Sequence, residues 1–153
     1  MKFKINYNAK MLEAMKFLVR DVLKDTQEKG LQGDHHFYIT FYTNFEKVVI
    51  SDWLKEEYPS EMTIVIQNWF ENLSVYDDFF SITLNFNNKP EKMDIPFSSL
   101  ISFADPFAEF YISLKNKKEI KDEIENNKEN LIKEKKIIKE NEKVIKLDTF
   151  RKN

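Results

Sequence analysis

The 153 residues predict an α+β body followed by a flexible polar tail. Three observations carry that reading. One wide apolar stripe at helical spacing opens the chain. Short β-prone runs, separated by turn residues every eight to twelve positions, fill it up to residue 114. Beyond that point no aromatic or proline occurs for twenty-nine residues, 115–143.

The helix is read over residues 9–29, with Asn8 as its cap and Gly30 as its stop. Met11, Leu12, Met15, Leu18, Val19, Val22 and Leu23 recur at three- and four-residue steps and form the stripe. Such a face can pack wholly on its own core, or lend part of its width to the same helix of a second copy. After Leu31-Gln32-Gly33-Asp34, the run His35–Tyr42 is aromatic and β-prone. Lys47–Ile50 reads as a short strand, and Ser51-Asp52 as the start of a helical turn that Pro59 ends. Met62–Asn68 is β-branched at four successive positions and reads as a strand buried on both faces. Phe70–Val75 is another short strand. Phe80–Phe86 alternates, with Phe80, Ile82, Leu84 and Phe86 on one face and Ser81, Thr83 and Asn85 on the other. Asn87-Asn88-Lys89 turns the chain, Lys92–Ile95 returns, Pro96 breaks the strand, and Phe110–Leu114 closes the body. Many short strands of this kind predict a small, strongly bent barrel or sandwich with the helix against it.

Composition narrows the function. Fourteen Phe, six Tyr and two Trp against two Gly give the first 114 residues material for a core. No cysteine is present, so disulfides, thiol nucleophiles and cysteine zinc sites are excluded, and a reducing cytoplasm is compatible. No run reaches the roughly 20 apolar residues of a membrane span, and the first residues lack the apolar core of a signal peptide. Residues 1–114 carry eleven Lys/Arg against seventeen Asp/Glu, a balance of −6; residues 115–153 carry thirteen against nine, a balance of +4. An acidic body is a poor surface for phosphate backbones, which argues against nucleic acid as a partner.

The chemistry-bearing residues are few. Asp34-His35-His36 would need further ligands such as Asp78 or Glu91 to hold a metal, and neighbours on a strand point to opposite faces. No metal site and no cofactor is expected. Asp77-Asp78 sits between two strands, where Asp serves local backbone hydrogen bonds better than acid–base catalysis. No phosphate loop, nucleophile elbow or zincin motif occurs, so no catalytic residue and no enzyme activity is expected. Aromatics on strands can stack bases, but Phe37, Phe41, Trp69 and Phe80 have polar or acidic neighbours, and core packing explains most of these aromatics. A small β-barrel RNA-binding protein is the alternative reading.

The end of the chain differs from what precedes it. Val144, Ile145, Leu147 and Phe150 place four apolar residues within seven positions, after a lead of Lys, Glu, Asn and Ile that resists burial. A final strand returning to the body would explain them. A free linear motif that docks on a partner's sheet edge explains the long polar lead as well. As coil, the twenty-nine-residue lead spans roughly 30 Å root-mean-square.

The motifs HHFYITFYT, YPSEMTIVIQNWFENLSV, FSITLNFNNKPEKMDIPFSSLISFADP and the terminal VIKLDTFRKN, in this order, resemble the SspB family of bacterial specificity-enhancing adaptors, and more closely its alphaproteobacterial branch. The resemblance runs from about Tyr7 to Leu114 and resumes at Val144. It implies a cytoplasmic adaptor of trans-translation quality control. Such an adaptor binds ssrA-tagged polypeptides and tethers them to the ClpX unfoldase of the ClpXP protease. It implies an Sm-like bent barrel that dimerises through the N-terminal helix, here along Met11, Met15, Leu18 and Val22. It divides the chain into a tag-binding and dimerisation domain (1–114), a polar linker (115–143) and a ClpX-docking motif (144–153). In that motif, Val144, Ile145, Leu147, Asp148, Phe150, Arg151 and Lys152 would meet the N-terminal domain of ClpX. The tag groove would be lined by Ile66, Gln67, Asn68, Phe97 and Ser98, with Gln67 able to pair with peptide amides in both directions. Trp69 follows where the family resemblance leads one to expect a more polar stretch. The tip ends in RKN rather than RKK.

Overall fold

The computed structural model describes residues 4–115. The expected linker (but for Lys115) and docking motif therefore lie outside the described residues.

Helix α1 spans Tyr7–Lys29. It starts two residues before the expected position because Asn6, not Asn8, is the cap: its side-chain oxygen accepts from the Ala9 N–H at 3.0 Å. Gly30 ends it as expected, at φ +74°, where a side chain would be strained. Val19, Leu23 and Thr26 are buried, and Thr26 returns its hydroxyl to the Val22 carbonyl at 2.9 Å. Then come β1 (Phe37–Tyr42), α2 (Asp52–Glu57), β2 (Glu61–Ile66), β3 (Glu71–Val75), β4 (Phe79–Phe86), β5 (Lys89–Pro96), β6 (Leu100–Asp105) and β7 (Phe110–Ser113).

All strand pairs are antiparallel, and they form two sheets with orders β2-β1-β6-β7 and β3-β4-β5. The α+β class is as the sequence predicts. The barrel is not: among the described residues hydrogen bonding does not close into a ring. The two sheets share one core instead, in which Phe41, Phe80, Phe103, Ile39, Ile64, Ile66, Ile82 and Ile95 are fully enclosed.

Local chemistry accounts for the elements and for the departures. Asn87 and Asn88 both take positive φ, 52° and 63°, and form the two-residue loop that matches the twist of the β4–β5 hairpin. Lys47–Ile50 is not a strand; only Val49 bridges, exchanging backbone bonds with Asp94 at 3.0 and 2.9 Å. β2 buries one face only: Met62, Ile64 and Ile66 point inward while Thr63 and Val65 are exposed. β-Branching there reflects pleat preference rather than two-sided burial. β4 departs the other way: Ser81 and Thr83 are buried along with Ile82 and Leu84. Ser81 satisfies its hydroxyl on Asp94 at 2.5 Å. Pro96 does end β5, but the chain then makes a 3-10 turn, Phe97–Ser99, and resumes at once as β6.

α1 lies against β3 and the 3-10 turn. Its Gln27 carboxamide accepts the Val75 N–H at 2.9 Å, and Arg20 donates to the Asp77 carbonyl at 2.9 Å. The helix thus covers the outer edge of the second sheet and satisfies backbone groups there. Because Phe41 is enclosed on all sides, Phe41→Ala should cost about 3–5 kcal/mol of unfolding free energy, measured by urea denaturation. A loss under about 1 kcal/mol would mean that β1 is not the centre of the core.

Candidate functional site

The register of β1 on β2 decides what the edge of the first sheet presents. Phe37 pairs with Ile66 and Tyr42 with Glu61, and one step further the Thr43 N–H donates to the Ser60 carbonyl at 3.0 Å. Backbone groups alternate sides along a strand, so those of Met62, Ile64 and Ile66 turn toward β1. Those of Glu61, Thr63 and Val65 turn outward, on a strand that ends its sheet among the described residues.

Beside this edge lies an open cleft of about 350 Å³ lined by Thr63, Val65, Gln67, Asn68, Trp69, Leu84, Asn85 and Phe86. None of the eight carries a charge, and three are carboxamides. Leu84, only 4 % exposed, forms an apolar floor. Trp69, which also lines the cleft, is 41 % exposed. The chain is turned sharply here: Asn68 takes φ +54° and the Trp69 N–H donates to the Gln67 carbonyl at 2.5 Å, a three-residue turn. Asn tolerates that left-handed conformation better than other residues with a Cβ.

The structure separates the five residues expected to line one groove. Gln67 and Asn68 share the cleft. Ile66 is fully buried beneath them in the core. Phe97 is buried against Phe80, with ring centroids 5.6 Å apart, and Ser98 is exposed. Both line a different hollow, of about 140 Å³, with Glu13, Lys16, Phe17, Arg20, Asp77 and Asp78. Trp69, Leu84, Asn85 and Phe86 were not singled out for the groove, although Asn85 does fall on the polar side of the β4 alternation. On α1, Met11 is 60 % exposed, Leu18 is half-buried, and Met15 and Val22 pack partly on the core.

The histidines have structural partners. His35 Nδ1 lies 2.6 Å from Asp105 Oδ2, and its ring meets Phe107 edge-on at 4.9 Å. His36 Nδ1 faces the Asp34 carbonyl at 2.9 Å. Glu91 accepts from the Trp53 indole at 2.6 Å. Among the described residues no three His, Cys, Asp or Glu side chains are grouped to hold a metal. No helix among them is long and apolar enough to cross a membrane. Burial alone would raise the Asp105 pKa. The His35 hydrogen bond, the Ala108 N–H, the His35 charge and the His36 N–H outweigh it and hold the carboxyl below the usual carboxylate range.

Fold and site together define an α+β body with an uncharged cleft at a strand edge that no described residue pairs, a surface suited to an extended chain. The chain matches the family model for SspB, stringent starvation protein B, over residues 9–149, and it belongs to that family. The family is one of non-catalytic, protein-binding adaptors. No individually curated protein matches the chain.

Asp105 supplies a pH test of the site's frame. A lowered folded pKa gives stability that is complete above the ordinary carboxylate value and is lost as pH falls through the lowered one. Urea midpoints taken from neutral pH into acid should therefore fall less steeply for Asp105→Asn than for the parent. Parallel curves would show that Asp105 gains nothing from its partners.

Proposed function

We propose that this chain is an ssrA-tag adaptor. It holds the tag as an extended strand in the cleft beside β2 and hands the tagged polypeptide to the ClpX unfoldase of ClpXP. The observation that supports this most is the outward-facing backbone of Thr63 and Val65 along the floor of an uncharged groove. Added strands bind through main-chain hydrogen bonds and are read through alternate side chains, and both halves of that arrangement are present. Gln67 and Asn85 are the carboxamides available to read peptide amides or side chains. Phe97, buried in the core against Phe80, supports the body that carries the cleft, and Ser98 lies outside the cleft. The role is non-enzymatic, takes no cofactor, and is exercised in the bacterial cytoplasm.

Two further parts complete the proposal. Residues 144–153 dock on the N-terminal domain of ClpX through Val144, Ile145, Leu147 and Phe150, with Asp148, Arg151 and Lys152 at the rim, on the tether 115–143. Met11, Met15, Leu18 and Val22 recur at four-, three- and four-residue steps, the spacing of a helix–helix seam, and join two copies. Two tails on one dimer hold a hexameric unfoldase by avidity, so each contact can be weak.

The deciding experiment is titration of the full chain with a fluorescein-labelled ssrA-tag peptide. Val65→Pro removes an outward N–H without touching the β1 ladder, so it should weaken binding about tenfold with little change in melting temperature. Deleting residues 144–153 should leave binding intact and abolish stimulation of ClpXP degradation. Failure of the parent chain to bind the peptide overturns the reading. Separately, Leu18→Glu should give monomers by sedimentation; an unchanged dimer would place the seam elsewhere.

A further inference from the structure

The cleft does not end at β2. Thr63 and Val65 line it and also belong to the outer face of the first sheet, where the ladder continues across all four strands. Val65 pairs with Tyr38, Tyr38 with Ala104, and Ala104 with Tyr111. The next row is Thr63, Thr40, Ser102 and Ser113. The first row is apolar and aromatic. The second is entirely hydroxyl, with Thr40 and Thr63 bonded to each other at 2.7 Å. Tyr111 is 65 % exposed, and Tyr38 and Val65 are each 38 % exposed. In a chain that is 33 % charged, two adjacent rows of four residues carry no charge.

We infer that this face is a track for the cargo residues that precede the tag, and that it selects uncharged, unfolded flanks. The inference rests on the cleft holding the tag. An extended chain leaving the cleft at Val65 meets Tyr38 first and Tyr111 last. Three inter-strand spacings separate Val65 from Tyr111, roughly 14 Å, which about four extended residues cover. Ala104, the small member of the row, leaves a dip between the two tyrosines. Tyrosine offers large contact area at low entropic cost together with a hydroxyl, and the adjoining Ser and Thr row offers donors and acceptors to a passing backbone. A flank rich in Asp or Glu finds no countercharge on the track and meets a body whose balance is −6 over residues 1–114. A folded cargo segment cannot lie in a row this narrow. The adaptor therefore favours cargo whose tag follows a short stretch of disordered, uncharged chain.

The test uses the full-length protein and three labelled peptides: the ssrA tag alone, the tag preceded by Ser-Ala-Tyr-Ser-Ala-Ser, and the tag preceded by six Glu. The uncharged extension should bind about fivefold tighter than the tag alone, and the acidic one no tighter. Tyr111→Glu should abolish that gain while leaving the affinity for the tag alone unchanged, and Tyr111→Phe should keep most of it. The unextended tag reports folding within the same titration. Equal affinity for the tag with and without the uncharged extension overturns the inference, as does a gain that survives Tyr111→Glu. If no peptide binds the parent chain, the cleft reading falls and the track with it.

Discussion

The pairing of β1 with β2 is the interaction on which the rest of the molecule depends. Its register fixes two things at once. It drives Phe37, Ile39 and Phe41 together with Met62, Ile64 and Ile66 into the core. It also turns the alternate residues, Thr63 and Val65, outward in both side chain and backbone. A slip of one residue would exchange the two sets, placing threonine hydroxyls in the core and isoleucines in the cleft. The burial that stabilises the fold is therefore the same constraint that builds the edge. No separate device is needed to hold the site open.

That edge stands out because the others are managed. The outer side of β3 is covered by α1, whose Gln27 and Arg20 occupy backbone groups there. β5 is met by Val49, which takes both backbone bonds at Asp94. β7 is only four residues long. Covering, bridging and shortening are the usual protections against stray strand pairing. β2 has six residues and, among the described residues, none of these protections. Its neighbour across the cleft, the end of the β4–β5 hairpin, stands off rather than pairing with it. A bare edge retained among protected ones is the expected form of a surface meant to be paired by another chain.

How much of this was legible depended on whether its cause was local. Gly30, Pro96 and the Asn87-Asn88 loop act through their own backbone preferences, and each falls where the sequence predicts a break. The cap was misplaced by two residues because Asn6 and Asn8 are equally suitable by type, and only the helix's packing chooses between them. β6 went unassigned since Leu100–Asp105 follows Pro96 with no turn residue but the short 3-10 turn between. The two-sided burial expected of Met62–Asn68 belongs instead to β4, because what packs over each face of a strand comes from distant parts of the chain, which no local window reveals. The site divides in the same way. Gln67 and Asn68 were reachable through the family pattern. Leu84, Asn85 and Phe86 come to the cleft only through non-local packing of a hairpin whose strands lie some fifteen residues further along. Phe97, which the family segment groups with Ile66, Gln67, Asn68 and Ser98, lies in the core.

The chemistry of the cleft argues for what passes through it. Nucleic-acid binding draws its free energy from cations that displace counterions, and none of the eight lining residues is a cation. Main-chain pairing needs no charge and tolerates many sequences, so an edge such as that of β2 is chemically suited to extended chains. Selectivity must then come from the few side chains that differ from bulk surface: the Trp69 indole held out by the turn at Asn68, the apolar floor at Leu84 and Phe86, and the carboxamides of Gln67 and Asn85. An open groove of this kind binds modestly, because the ligand stays partly solvated and must be ordered on binding. Modest affinity suits a carrier. On the adaptor reading proposed above, cargo held too firmly could not be surrendered to the partner that pulls on it, whereas cargo held weakly is retained so long as a second contact keeps the partners together.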